Sequence, residues 1–275
     1  MKAADFAYEK PDSLDAALAL LADPDRDASP IAGGQSLVPM MNFRMAMPEL
    51  LVDLNGLDEL RGISADAGGG LRIGAMTRYS ALEASDLVTE RAPIIAMALP
   101  HIAHAAIRNR GTIGGSVSLA DPAAEMPALM LVLDAEIEVQ SAKAQRRIKA
   151  DEFFTGLYET ALDEGELVTA IHVPAAPSGR RFAFYELARR HGDYAMAGVA
   201  IAGTGDALED PRIAFFSVSD RALRARGAEA ALAAGDVEGA IAALDEIDFA
   251  GDLNADAKTK RHLAGVVLKR ALGRL

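Results

Sequence analysis

The sequence predicts an α+β protein of two domains, the second the smaller. Three observations carry that reading. In the first part of the chain, short apolar runs of strand length alternate with segments of helical spacing, as in "ASPIAGG", "ELLVDLNGL" and "APIIAMAL". At "VPAAPSGRR" (173–181) the composition shifts to Pro, Ala, Ser and Gly, which places a domain boundary near residue 176. Behind it, three strand patterns precede three helical ones, the order of a small α+β domain. With 275 residues, 51% of them apolar, both domains have enough chain to bury a core.

The elements follow in order. Asp12-Ser13 caps a helix whose apolar face runs through Leu14, Ala17, Leu18 and Leu21. "ASPIAGG" is a strand entering a Gly-Gly turn, and "ELLVDLNGL" is a strand ending at Asn55-Gly56, so residues 1–56 form a small β–α–β-like subdomain. Residues 57–176 form the second subdomain. There "GLRIGAMT" is a strand, and Ser80 with Glu83 has capping-box spacing for a helix start. "APIIAMAL" is a buried helix ended near Pro100. Asp121 and Pro122 suit the N-cap and first helical position of "DPAAEMPALMLVLDA", and "AEIEVQS" alternates as a strand. In residues 177–275, "RFAFYELARR", "AGVAIAGT" and "RIAFFSVSD" are strands; "AEAALAAG", "VEGAIAALDEI" and "DAKTKRHLAGVVLKRAL" are helices.

Composition narrows the function. A net charge of −12 and the absence of Trp disfavour a nucleic-acid partner. With no Cys, the chain holds no disulfide, thiolate zinc site or cysteine-ligated iron–sulfur cluster. No apolar run reaches spanning length, so membrane insertion is not expected. "MKAADFAYEKPDS" has early acids and no apolar core, unlike a leader peptide, so a cytoplasmic protein is expected.

Two Gly-Gly pairs suggest chemistry. "IAGGQSLVP" puts Gly33 and Gly34 behind an apolar lead-in and before Gln35 and Ser36; "RGTIGGSVS" repeats the device at Gly114 and Gly115. Glycine permits φ > 0 and lets a ligand approach the backbone, and successive N–H groups in such a turn make an anion nest. One turn suits one phosphate, and two facing turns suit a pyrophosphate. Neither pair has the Lys-Ser/Thr of a nucleoside-triphosphate loop or the G-x-G-x-x-G spacing of a doubly wound dinucleotide fold.

Four longer strings occur in order: "AGGQSLVPMMNFRMAMPELLVDLN", "HIAHAAIRNRGTIGGSVSLADPAAEMPALMLVLDAEI", "FFTGLYETALDEGELVTAIHVP" and "FYELARRHGDYAMAGVA". Together they resemble the FAD-binding medium subunit of the molybdenum hydroxylases, the carbon monoxide dehydrogenase and xanthine dehydrogenase group, over nearly the whole chain. The resemblance implies a vanillyl-alcohol-oxidase (PCMH)-type FAD-binding domain of two subdomains, followed by a small C-terminal domain. It implies FAD with its pyrophosphate between Ala32, Gly33, Gly34, Gln35, Ser36 and Leu37 on one side and Gly111, Thr112, Ile113, Gly114 and Gly115 on the other. The same correspondence assigns Ser118, Asp121 and Glu125 to the cofactor, puts His101 with Ile102 and Leu167 near the flavin ring, and lays Tyr194 over one flavin face. Some relatives carry a lysine near Glu186, and an acid there changes the charge beside the cofactor.

The implied function is electron transfer. An iron–sulfur small subunit delivers electrons, a molybdopterin large subunit carries the hydroxylation site, and FAD passes electrons to an external acceptor, with no catalytic side chain and no metal ligand on this chain. That assembly also accounts for the missing cysteines. Two other functions fit the glycine turns: a stand-alone flavin-dependent reductase of the same fold, and a non-catalytic nucleotide-binding module. Among remaining features, His101 and His104 are three apart and can share a helix face, a spacing suited either to packing and flavin contact or to metal. Arg108 and Arg110 suit phosphate, a partner or solvent. Arg189 and Arg190 take opposite faces if "FYELARR" is a strand. Met40, Met41, Met45 and Met47 suit core filling or a partner surface.

Overall fold

The computed structural model describes residues 2–275 and has three sheets of three or more strands. The first joins β1 (Ala7–Glu9), β2 (Ala28–Ile31) and β3 (Leu50–Asp53), all parallel, in the order β1-β3-β2. Parallel neighbours need crossovers. These are α1 (Leu14–Leu21), started by Ser13 accepting the Ala16 amide, and α2 (Leu37–Asn42). The β–α–β reading therefore holds, with β1 added. Its three exposed residues carry no alternation that could announce a strand.

The second sheet is antiparallel, in the order β4-β5-β10-β6-β7: β4 (Ile63–Ala65), β5 (Leu71–Gly74), β6 (Glu136–Gln140), β7 (Gln145–Lys149) and β10 (Leu167–Val173). A small hairpin of β8 (Phe154–Gly156) and β9 (Glu159–Thr160) lies between its strands in sequence. The intervening chain forms α3 (Tyr79–Glu83), α4 (Asp86–Arg91), α5 (Pro93–Ala98), α6 (Ala105–Arg108), α7 (Ile113–Leu119), α8 (Glu125–Val132) and α9 (Ala150–Phe153).

Two helix starts differ from the sequence reading. Ser80 does not open α3. The helix begins at Tyr79 after an extended Arg78, which a bridge to Thr112 fixes, and the nearby serine that caps through its hydroxyl is Ser85, at the start of α4. Asp121 does not cap α8, whose first residue is Glu125. The reason is Pro127. With the helix starting at Glu125, its missing N–H falls in the first turn, where no intrahelical partner exists; with a start at Pro122 it would break the interior. Asp121 instead folds the preceding turn, Oδ1 accepting the Ala123 amide at 2.9 Å.

The third sheet, β11 (Arg180–Ala188), β12 (Ala195–Thr204), β13 (Glu209–Phe216) and β14 (Leu223–Arg224), is an antiparallel meander. Its two faces serve two cores. Ala183, Val199, Ile201, Ile213 and Phe215 pack against α10 (Arg226–Ala233), α11 (Val237–Ala242) and α12 (Ala257–Leu272). Phe184, Ala200, Ala202, Ala214 and Phe216 join the core of the second sheet and α8. This places α8 between two sheets, so all eight of its residues are buried and, after Glu125, it is apolar all round. Arg189 and Arg190 lie past the end of β11, so strand alternation does not govern them. Met41 is buried, whereas Met45 and Met47 are exposed.

Phe184 stacks on Phe216 at 5.8 Å, and Phe216 lies across Gly198 of β12. A Cβ at Gly198 would stand 2.5 Å from Phe216 Cε2. Gly198→Ala should therefore destabilise the chain by about 1–3 kcal/mol, since the displaced ring is locked in a shared core. Denaturant melts that match wild type would show that this packing has room to give.

Candidate functional site

Gly33 is the point from which the site is built. A Cβ there would lie 2.9 Å from the Arg110 carbonyl carbon and 3.0 Å from Gly111 Cα, so the two glycine-bearing segments meet backbone to backbone. Gly34 follows with φ +70, and the Gln35 side chain turns back to donate to Gly33 O at 2.8 Å. Among the described residues the amides of Gly34, Gln35 and Ser36 donate to no protein acceptor, and Leu37 begins α2 directly after them. Gly34 and Gln35 border a cavity of about 590 Å³ also lined by Tyr8, Ala32, Val38, Asp53, Ile107 and Arg110, among others.

The second segment is built differently from the sequence reading. Gly114 and Gly115 are not a bend; they form the first turn of α7, which Thr112 caps by accepting the Gly115 amide at 3.2 Å. The amides of Ile113 and Gly114 are already bonded, to Thr77 O and Ala75 O. These glycines act sterically: a Cβ on Gly114 would stand 2.5 Å from Ala75 Cβ, and one on Gly115 2.8 Å from the capping Thr112 Oγ1. The missing side chain at Gly114 lets α7 press against the end of β5, and the one at Gly115 leaves room for the cap. Charge comes from elsewhere. Arg78 donates to Arg110 O and Asn55 Oδ1. Burial and the nearby Arg110 and Arg61 pull its guanidinium below the ordinary value. Crowded cations beside free amides make an anion-attracting corner. Asn55 also donates to Ala32 O at 2.9 Å. Burial works against the Asp53 carboxylate, yet the Tyr8 hydroxyl and the Asn55 amide hold it below its usual range.

Across α7 lies a second polar group. The Tyr158 and Tyr194 side chains lie near the Asp121 carboxylate; their own burial and its charge raise both hydroxyls above the ordinary value, and Tyr194 is 65% exposed. Buried Tyr79 packs its ring against Gly111, and its amide donates to Gly111 O at 3.1 Å. Burial pushes the Glu125 carboxyl up to about 8, and the charges of Glu186 and Asp121 push the same way against its own amide. His101 Nδ1 stands 3.3 Å from Glu186 Oε1, while Glu186 Oε2 is buried without a partner. The His101 ring lies 5.3 Å from Phe184 and 5.7 Å from His191.

Other sequence assignments fall as follows. Ile102 is buried, and its carbonyl accepts from Arg108 at 3.1 Å. Ser118 is half-buried on α7. Leu167 lies apart from the polar groups, in a core cluster with Leu14, Leu18, Leu60 and Met76. His101 and His104 share no helix, because His101 closes a 3-10 turn, Ala103 takes φ 47 and His104 begins α6. Among the described residues, no group of three or more His, Asp or Glu can hold a metal ion. No described helix is long and apolar enough to cross a membrane. Arg78, Asn55 and Tyr79 escaped the sequence reading, since nothing in their local pattern marks them and only the fold brings them here.

A glycine cradle that a Cβ would fill, free amides, a cationic corner and an unpartnered buried carboxylate oxygen fit a large phosphate-bearing cofactor with a polar ring. Comparison with known proteins agrees. Residues 4–176 match the family "FAD binding domain in molybdopterin dehydrogenase", and residues 182–275 match the "CO dehydrogenase flavoprotein C-terminal domain". The chain is 40% identical over 280 residues to the carbon monoxide dehydrogenase medium chain of Hydrogenophaga pseudoflava, covering 97% of this chain and 96% of that one. It is 38% identical over 283 residues to the 6-hydroxypseudooxynicotine dehydrogenase complex subunit alpha of Paenarthrobacter nicotinovorans, covering 100% of this chain and 95% of that one. A solved chain of the Hydrogenophaga pseudoflava carbon monoxide dehydrogenase superposes with a TM-score of 0.95 at 40% identity, over 99% of this chain and 98% of that one. The fold and its cleft are thus those of an FAD-binding flavoprotein. The chain belongs to the FAD-binding medium subunits of the molybdenum hydroxylases, an oxidoreductase family.

Glu125 gives a pH signature. Unfolded, its carboxyl ionises near the ordinary 4.5; folded, it stays protonated up to about 8. Between these values the folded state binds the extra proton, so this residue lowers stability as pH rises, by about 1.4 kcal/mol per unit. Glu125→Gln should therefore gain stability over wild type between about pH 5 and pH 8, by up to ~4 kcal/mol, in urea melts of the FAD-free chain. A difference that is flat across that range would mean that Glu125 ionises normally.

Proposed function

We propose that FAD lies along the seam described above and that the chain is the flavin stage of a one-electron relay. The FAD-binding unit takes residues 1–176, as subdomains 1–56 and 57–176, and residues 177–275 close it from one side. The pyrophosphate sits on the free amides of Gly34, Gln35 and Ser36, with Ala32, Gly33 and Leu37 shaping the turn and Arg110 and Arg78 supplying positive charge. Gly111, Thr112, Ile113, Gly114, Gly115 and Ser118 form the opposing wall. The ring faces His101, Ile102, Asp121, Glu125 and Tyr194.

FAD supplies the redox chemistry: it accepts electrons singly and releases them singly or in pairs. This chain binds and orients. Its backbone amides neutralise the phosphates without a hydrolytic residue, Tyr194 shields the ring from water, and Glu125, neutral in the buried cleft, donates a hydrogen bond without adding negative charge. Electrons come from an iron–sulfur small subunit, substrate is hydroxylated on a molybdopterin large subunit, and an external acceptor removes the electrons. Support comes from the relatives: a carbon monoxide dehydrogenase medium chain, a dehydrogenase complex subunit and a nicotine 6-hydroxylase medium subunit.

The observation that carries this reading is the backbone contact at Gly33. The purified wild-type chain should carry FAD, released on denaturation, and reduced iron–sulfur partner should reduce it, whereas NAD(P)H without partners should drive no turnover of a small substrate. Gly33→Val should weaken FAD binding about tenfold or more, at least ~1.4 kcal/mol, while circular dichroism shows the fold retained. Full FAD occupancy in folded Gly33→Val protein would remove the cradle from the account.

A further inference from the structure

Lys260 is an ionisable group that the cofactor reading does not use. It sits in the first turns of α12, on the C-terminal domain, and is only 2% exposed. A buried ammonium is retained where its donors are spent on fixed acceptors. Its Nζ donates to Asp252 Oδ2 at 2.6 Å and to the carbonyl of Ser217. Ser217 is a non-glycine residue in the left-handed region, φ 62, just past the end of β13. That conformation is unfavourable for a side-chain-bearing residue and needs surrounding bonds to hold it.

Ser217 uses its remaining polar groups across the domain seam. Its amide donates to Pro122 O at 2.7 Å, and its hydroxyl donates to Ala195 O. Pro122 directly follows Asp121, and Ala195 directly follows Tyr194. The Tyr194 side chain lies near the Asp121 carboxylate. One run of bonds therefore leads from α12 to the cleft: Lys260 fixes Ser217, and Ser217 fixes the chain behind Asp121 and behind Tyr194.

We infer that Lys260 is a positioning residue that aims Asp121 and Tyr194 at the cofactor ring by locking Ser217 in its left-handed turn. It touches neither cofactor nor substrate. The inference rests on the reading that the ring lies beside Tyr194. It adds that the geometry of the ring pocket is set from α12 of the C-terminal domain, on the far side of the third sheet.

The test uses the full chain loaded with FAD, in wild type, Lys260→Met and Ser217→Gly. Lys260→Met removes the ammonium and keeps an unbranched side chain. Ser217→Gly removes the hydroxyl but keeps a residue at ease with positive φ, and so decides the matter if Lys260→Met does not fold. The readouts are the FAD dissociation constant and the flavin fluorescence yield at saturating FAD, which a phenol held against the ring keeps low. Lys260→Met is expected to bind FAD about tenfold more weakly and to fluoresce at least about twofold more brightly when saturated, and Ser217→Gly to change both in the same direction by less. Fluorescence equal to wild type at saturation overturns the inference, even if affinity or melting temperature falls, because Lys260 would then be structural only. A wild-type chain that takes up no FAD would sink the cofactor-site reading itself, and this inference with it; FAD uptake by wild type with unaltered variants sinks the inference alone.

Discussion

Two stretches of main chain touch at Gly33 with no side chain between them, and most of the molecule is arranged around that contact. The Arg110 carbonyl carbon stands where a Gly33 Cβ would be 2.9 Å away, so the first parallel sheet and the α6–α7 segment approach as closely as backbone allows. Gly114 repeats the device one layer deeper, against Ala75 at the end of β5. With these two approaches in place, α7 has one position relative to both N-terminal sheets. The free amides of the first turn then open beside Arg78 and Arg110 instead of being covered by side chains.

The rest of the cleft is made by the third sheet. Strand alternation gives it two apolar faces, and the face carrying Phe184 and Phe216 completes the core around α8. Glu186, two residues along β11 from Phe184, shares that face, which is why a carboxylate is buried at the seam beside His101. Glu125 enters from the other side at the first position of α8. Burial in that cleft, seconded by the charges of Glu186 and Asp121, holds the Glu125 proton to about 8. The ring-side chemistry is therefore a property of the docked pair of domains, which neither would have alone.

Much of this was legible in the sequence because it depends on local rules. Ser13 announces a cap, and alternating apolar residues announce β11 to β13. The first glycine turn was legible for the same reason: Gly34 needs its positive φ. The second was misread, because a Gly-Gly pair looks alike whether it bends the chain or thins the first turn of a helix; the Thr112 cap distinguishes the two, and it was available in the string. Asp-Pro at Asp121 is a strong local signal for a helix cap, and Pro127, six residues further on, decides otherwise. Arg78, Tyr79, Ser217 and Lys260 had no local mark at all. Their roles come from partners 32, 32, 95 and 43 positions distant, and spacing along one strand or helix carries no record of that.

The central claim is tested most directly by amide NMR of the isotope-labelled chain as FAD is added. The account predicts that the amides of Gly34, Gln35 and Ser36 shift together with those around Thr112 to Ser116, in a single saturable transition, and that Tyr194 and its neighbours move in the same transition. Shifts confined to one of the two glycine segments, or absent from both while FAD binds elsewhere, would contradict it.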